Sequence, residues 1–294
     1  MSTQSDRKPS MPEADVTHHY ADLSEVRMHY VTSGRGFPIV LLHGWPQTWY
    51  EWHKVIPLLS GTFQVIAPDL RGLGDTSRPD KGYDKKTIAS DVWELLNHEL
   101  GIEEFFLAGH DWGGPVAYSL AAHHPGAVRR LAIVDVTIPG DGSPDISQGG
   151  KRWHHAFHQT LHMPEQLIQG REDIYLGWFY RNYAFRPDAI DERSVREYLR
   201  CYTQPGALRA GLEYYRNIPN DIACNADLIR HFKLPMPVLA LGGAESWGRR
   251  MEVVESLRRV AVDVRGGMIP ESGHFVPEEQ PEALAENFLA FFGA

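Results

Sequence analysis

The chain has 294 residues, 43% of them apolar and 23% charged, with a formal net charge of −9. That is enough for one large α/β unit carrying an insertion. The acidic balance, with no basic stripe, argues against nucleic acid or an anionic membrane as a partner and gives no general attraction to anionic substrates.

Residues 1–15 are polar, contain Pro9 and Pro12 and lack the apolar core of a secretory signal. A loose arm over residues 1–19 is expected. No apolar run reaches the length of a membrane span. Cys201 and Cys224 form neither a disulfide framework nor a metal pattern. They suit a reducing compartment, so a cytoplasmic protein is expected.

The first clear strand is Val26 to Val31. Pro38 to Leu42 is a continuous apolar strand that runs into His43-Gly44-Trp45-Pro46. Thr48 to Leu59 reads as a helix with Trp49, Trp52, Val55, Ile56 and Leu59 inward. The strand Phe63 to Ala67 leads into Asp69-Leu70-Arg71-Gly72, where Asp and Arg fit a loop brace. Asp84 to Leu100 is helical. Phe105 to Ala108 then enters Gly109-His110-Asp111-Trp112-Gly113-Gly114, and a helix follows from Pro115. Arg130 to Val136 is the sixth strand, with Asp135 at its end.

After Asp135 the strand pattern stops. Residues 137–233 hold Pro139, Gly140, Gly142 and Pro144, then helices rich in Trp, Tyr, Phe and His. A helical cap inserted after the sixth strand is expected there, covering residues 20–136 and 234–294 as the core. Pro237 to Leu241 resumes the sheet. The helix Arg250 to Val260, the strand Val262 to Ile269, the loop Glu271 to Phe275 and the helix Pro281 to Phe292 complete it. Strand–helix alternation of this kind predicts a mostly parallel eight-stranded sheet flanked by helices.

Strand, Gly-flanked turn, helix is the setting of a nucleophile elbow, and Asp111 stands at its apex. Serine there would make an acyl ester from an acyl substrate. A carboxylate is already anionic, and its attack on an alkyl carbon makes an ester that activated water can open. The residue therefore points to epoxides or carbon–halogen bonds. An Asp in this place can also be a plain helix cap, but the other members of a constellation follow in chain order. His274 is the expected base, and its acid is Asp135 or, alternatively, Glu245. The backbone N–H groups of Trp45 and Trp112 are candidates for an oxyanion hole. His43 and His110 more naturally brace their loops. His154, His158 and His162, spaced i, i+4, i+8, suggest a metal face, but no carboxylate or Cys completes a set and no metal is expected.

These motifs resemble the α/β-hydrolase-fold epoxide hydrolases over nearly the whole chain from Tyr20. The Asp elbow belongs to the epoxide hydrolase and dehalogenase branch, whereas the other motifs are shared more widely. The resemblance implies two cap donors to the epoxide oxygen. One match falls on Tyr215 in Glu213-Tyr214-Tyr215-Arg216, the other on His154 after Trp153. Histidine in that position resembles the Cif subgroup and also the haloacetate dehalogenases, and Gln47 to His53 is likewise similar to Cif. In that subgroup the acid follows the sixth strand, which favours Asp135 over Glu245.

The implied activity is hydrolysis of a small or medium apolar epoxide through an Asp ester. Neither metal nor organic cofactor is needed, and a small molecule is the partner. Related enzymes are often dimers, but no residue here fixes an interface. Dehalogenases are the rivals, yet the haloacetate family places Arg directly after the nucleophile, where this chain has Trp112. The haloalkane family carries Asn where this chain has Trp45. A catalytically idle binding protein on the same scaffold is the rival from outside enzymology.

Overall fold

The computed structural model describes residues 15–143 and 145–293. One sheet contains β1 (Thr17–Asp22), β2 (Arg27–Ser33), β3 (Phe37–Leu42), β4 (Phe63–Pro68), β5 (Phe105–His110), β6 (Val128–Val134), β7 (Val238–Gly243) and β8 (Val264–Ile269). Their order across the sheet is β1-β2-β4-β3-β5-β6-β7-β8. The pairs β1–β2 and β2–β4 are antiparallel and all other neighbours are parallel.

The central strands read as unbroken apolar runs because both faces of the sheet are covered. In β3, Ile39 and Leu41 enter one core, with Trp52, Phe288 and Phe292. Val40 and Leu42 enter the other, with Val116 and Leu120 of α3 (Gly113–His123). Successive side chains point to opposite faces, so one strand feeds both layers.

No hydrophobic pattern predicts β1, since only Ala21 among its residues is buried. Pairing with β2 creates it at the sheet edge. It begins at Thr17, so residues 17–19 belong to the sheet and not to the expected arm. Residues 1–14 of that arm lie outside the described residues.

The single helix expected over residues 48–59 is divided into a 3-10 turn, Trp49–Trp52, and α1, Ile56–Leu59. Pro57 has no N–H to donate, so the helix restarts with Pro in its first turn. The five residues predicted to face inward are nonetheless all buried. Helix α2 (Lys85–Trp93) is capped by Asp84, which accepts from the Thr87 N–H at 2.9 Å, and continues as a π-helix over Glu94–Glu99.

Between β6 and β7 the described residues form helices only. These are α4 (His154–Gln159), α5 (Met163–Ile168), α6 (Glu172–Asn182), α7 (Glu192–Tyr202), α8 (Ala207–Arg216) and α9 (Ile218–His231). Pro144, one of the residues noted at the start of this segment, is outside the described residues. After β7 come α10 (Glu252–Val260), α11 (Val276–Glu279) and α12 (Pro281–Phe292). No described helix is long and apolar enough to cross a membrane.

Candidate active site

Four strand ends converge. The loops after the parallel strands β3, β5, β6 and β8 carry Trp45, Asp111, Asp135 and His274, at the sheet edge where open α/β sheets bind ligands. Asp111 sits at the turn between β5 and α3 with a φ of 45°, which lifts its carboxylate clear of the strand. Close backbone approach makes the turn possible. A Cβ on Gly113 would lie 2.2 Å from the Leu42 carbonyl oxygen, and one on Gly44 would lie 2.3 Å from Cβ of Asp111. Glycine is therefore required at both positions.

The Trp45 N–H donates to Asp111 Oδ1 at 2.9 Å. His274 Nε2 lies 3.3 Å from Asp111 Oδ2. The other imidazole nitrogen, Nδ1, donates to Asp135 Oδ2 at 2.7 Å. Asp135 is fully buried, and its Oδ1 accepts from the N–H groups of Gly243 and Arg249 at 2.8 and 2.7 Å. It too has a positive φ, 49°. Glu245 is not brought to the imidazole; its side chain has no hydrogen bond or ion pair, and only its backbone is engaged.

Burial alone would raise the pKa of Asp111. The hydrogen bond and charge of His274, the charge of His110 and the Trp112 N–H outweigh it and hold the carboxyl well below the usual range. The charge on His110 comes from its pairing with Glu51. Nδ1 faces the Glu51 carboxylate at 3.2 Å and Nε2 faces the His274 carbonyl oxygen at 2.8 Å. The carbonyl only accepts, and so does Glu51 in its ionised form, which burial disfavours and the His110 charge favours; with Glu51 ionised both nitrogens carry protons. Despite burial, Glu51 raises the His110 pKa to about 9. His110 thus braces the His274 loop, as expected, and also adds positive charge behind Asp111. His43 braces its own loop, donating to the Gly44 carbonyl and accepting from the Leu70 N–H, each at 3.0 Å.

Across from Asp111 stand the helices of the insertion. Tyr215 of α8 is 1% exposed and meets the rings of Trp45, Trp112 and His158 edge-on, at centroid distances of 5.4, 5.1 and 4.4 Å. Its ring lies 5.4 Å from that of His154 on α4, so the structure brings the two expected donors together. Burial, then the Asp111 charge, pushes the Tyr215 phenol well above its ordinary pKa. It is a neutral O–H donor at pH 7.

Tyr183 had no sequence signal. Its hydroxyl lies 3.0 Å from His154 Nδ1, and its carbonyl accepts from the His274 N–H at 3.0 Å. With the hydroxyl as donor in this pair, the proton of the neutral His154 lies on Nε2. Glu279 is a second such residue. Buried at 3% exposure, it accepts from the N–H groups of Gly273, Phe275, Phe185 and Arg186 at 2.7–3.0 Å. It thereby ties the His274 loop to the segment after α6. Only backbone donors meet its carboxylate, and no residue spacing could have foretold them.

His162 lies beyond the end of α4, so the i, i+4, i+8 set does not form one helical face. His158 Nε2 is instead bonded to the Tyr175 hydroxyl at 2.6 Å. Among the described residues, His29, Asp69 and Asp75 are close enough together for a metal. Those groups are already engaged. Asp69 accepts from His29 and from the Trp49 and Asp75 N–H groups, and Asp75 is bound by Arg200.

Three buried histidines of α4 are electrically costly to protonate. Burial, and then repulsion from the other histidines of the group and nearby arginines, lowers His154 and His158 well below 6.5; burial, and then Arg249 and Arg152, lowers His155 to about 3. Below pH 6.5 the unfolded chain takes up these protons while the folded chain does not. Their contribution is therefore complete above that pH and is lost as pH falls toward the folded values. Replacing His158 by Gln should flatten the slope of unfolding free energy between pH 6 and 5 by about one proton, roughly 1.4 kcal/mol per pH unit. Urea titrations across that range measure it; an unchanged slope would mean that His158 is protonated when folded.

Known proteins fit this geometry. Residues 38–281 match the family described as alpha/beta hydrolase fold. A soluble epoxide hydrolase from Corynebacterium sp. (strain C12) is 41% identical, over 95% of this chain and 98% of its own. A fluoroacetate dehalogenase from Burkholderia sp. is 33% identical over 92% and 91%. The crystal structure of wild-type Cfl2 from Burkholderia cenocepacia superposes with a TM-score of 0.89 at 42% identity, covering 97% of this chain and 98% of that one. The chain belongs to the α/β-hydrolase fold family, in the subgroup that holds epoxide hydrolases and a fluoroacetate dehalogenase.

Proposed function

We propose that the chain converts a small or medium epoxide with an apolar body to its vicinal diol, through an ester on Asp111. The observation that carries this reading is a carboxylate at the elbow apex, with His274 Nε2 at 3.3 Å and the Trp45 N–H at 2.9 Å. Residues 137–233 act as a cap over a core of residues 20–136 and 234–294, and the cap aromatics keep water from the reacting carbon.

In the first step Asp111 Oδ2 bonds to an epoxide carbon as the ring C–O bond breaks. The leaving oxygen, held by Tyr215 and the His154 Nε2–H, takes the phenolic proton. In the second step His274, oriented by Asp135, removes a proton from water, and the hydroxide adds to the ester carbonyl. The N–H groups of Trp45 and Trp112 hold the oxyanion. Collapse releases the diol oxygen, which takes the proton from His274. The carboxylic proton left on Asp111 restores Tyr215 by way of solvent. No metal or organic cofactor enters. The unpaired cysteines Cys201 and Cys224 support a reducing, cytoplasmic setting.

One observation favours dehalogenation as a second reading. The indole N–H groups of Trp45 and Trp112 are buried, that of Trp45 without a partner and that of Trp112 facing the Tyr215 hydroxyl, and such groups can hold a departing halide. A parallel assay with styrene oxide and fluoroacetate, following diol and fluoride, separates the two. Diol without fluoride is expected; fluoride without diol would reassign Tyr215 and His154 to the halide.

A further inference from the structure

Two arginines beside the site do not behave as buried arginines usually do. Arg152 and Arg249 are 3% and 5% exposed. A buried guanidinium normally lies against a carboxylate, because an unpaired charge out of water is strongly unfavourable. Arg152 has no carboxylate partner among the described residues. Its Nε donates to Gln148 Oε1 at 3.1 Å and its Nη2 to the Trp247 carbonyl at 2.9 Å, while Nη1 makes no hydrogen bond. Arg249 donates through Nη2 to the Ile146 carbonyl at 2.9 Å. Two carboxylates stabilise its charge, Glu252 at 3.3 Å, which is 45% exposed, and the buried Asp135, whose Oδ1 takes the Arg249 backbone N–H; its Nε makes no hydrogen bond. Burial, and then the Arg152 charge, lowers the Arg249 pKa to about 10.

Both guanidiniums line one narrow cavity together with His155, Trp112 and Asp111. His155 is itself buried, and its Nδ1 has no partner. The cavity holds about 20 Å³. One water needs roughly 10–15 Å³, so the space admits one or two small polar atoms, such as the oxygens of a head group, and not a ring. An apolar group there would leave the unused donors unpaired. Water would satisfy hydrogen bonds but not the charge of Arg152, whose only acceptors are neutral. A carboxylate does both, because its two oxygens match the planar fork of a guanidinium. It would also sit near the Asp111 carboxylate, and the two cations offset that repulsion.

We infer that this cavity is a subsite for a carboxylate on the substrate, so that the preferred substrates are epoxides bearing a carboxylate close to the oxirane ring. The inference rests on the epoxide reading for its chemistry, but the subsite can be tested apart from it. The chain as a whole is acidic and does not attract anions; the arginine pair reverses that locally.

Two isosteric pairs, used with the full-length protein, provide the test. Phenylacetate and phenylacetamide are inert and report binding through tryptophan fluorescence. Phenylglycidate and phenylglycidamide report turnover, with styrene oxide as the neutral reference. The carboxylate of each pair should be preferred by about tenfold or more, in Kd and in kcat/KM, as a charge-assisted bidentate contact predicts. Arg152→Gln should reduce both ratios toward one. If that variant does not fold, the wild-type ratios decide alone. Equal binding of phenylacetate and phenylacetamide overturns the subsite, and diol from styrene oxide in the same experiment would show that the epoxide reading survives it. Tight phenylacetate binding without diol from any epoxide overturns the assignment of substrate and the epoxide reading together, leaving an anion site.

Discussion

Replacing His274 by Gln stops the reaction half-way and leaves the protein carrying its substrate. Asp111 needs no base to attack, because its carboxyl is held in the ionised form and the Trp45 N–H orients it at 2.9 Å. The ester can therefore form. Its hydrolysis requires a base for water, and among the described residues the imidazole nitrogen within ion-pair reach of Asp111 is His274 Nε2, at 3.3 Å. Steady-state turnover should fall by about 10⁴-fold or more, the scale seen when a triad member is lost. Intact-mass spectrometry should show one equivalent of epoxide added to the protein. Asp111→Ala should abolish turnover and form no adduct. A folded His274→Gln protein that binds substrate and shows no added mass would rule out the ester route.

Asp135→Asn should be nearly as severe, for a different reason. The carboxylate accepts three N–H groups, from His274, Gly243 and Arg249. An amide can accept at only one of its two ends. Whichever way it turns, an N–H confronts another N–H, either at His274 or at the two backbone donors. Turned toward His274, it forces the proton onto Nε2, the nitrogen that must accept from water. A fall of about 10³–10⁴ in turnover is expected, with the adduct again accumulating. The buried mismatch should also cost about 1–3 kcal/mol of stability. Glu245→Gln is the matched comparison. Its side chain makes no hydrogen bond or ion pair, so turnover should stay within a factor of about two, in line with surface changes elsewhere. A large loss in Glu245→Gln with little in Asp135→Asn would transfer the acid to Glu245.

The ionisation of His110 joins the two experiments. Glu51 holds its charge in place behind Asp111, and its Nε2–H holds the His274 carbonyl. One buried cation thus helps both to keep the nucleophile ionised and to position the loop that carries the base. Sequence spacing shows that His110 flanks the elbow but not that both of its nitrogens are donors. That depends on Glu51, which arrives from the 3-10 turn after β3.

Local patterns were enough for the scaffold and for the residues at strand ends. Unbroken apolar runs marked β3, β5, β6 and β7 because both faces of a parallel sheet are buried, and Gly-flanked Asp111 marked the elbow because the turn tolerates no Cβ at Gly44 or Gly113. Edge strand β1 carries no such signal because it buries only one residue, and the break before Pro57 lies inside a regular inward-facing pattern. The choice between Asp135 and Glu245 needed distances, since both lie at the ends of adjacent strands and either could face an imidazole. Tyr183, Glu279, Arg152 and Arg249 were beyond any motif. Each takes its meaning from partners brought near by folding: a hydroxyl on His154, four backbone N–H groups on a carboxylate, two guanidiniums lining one cavity with Asp111. Residue type and order thus determined the fold and the class of chemistry, because those depend on short-range periodicity and on what a carboxylate can attack. The protonation states, the orienting contacts and the charge inside the pocket depend on burial and on neighbours far away in the chain, and only the tertiary structure decided them.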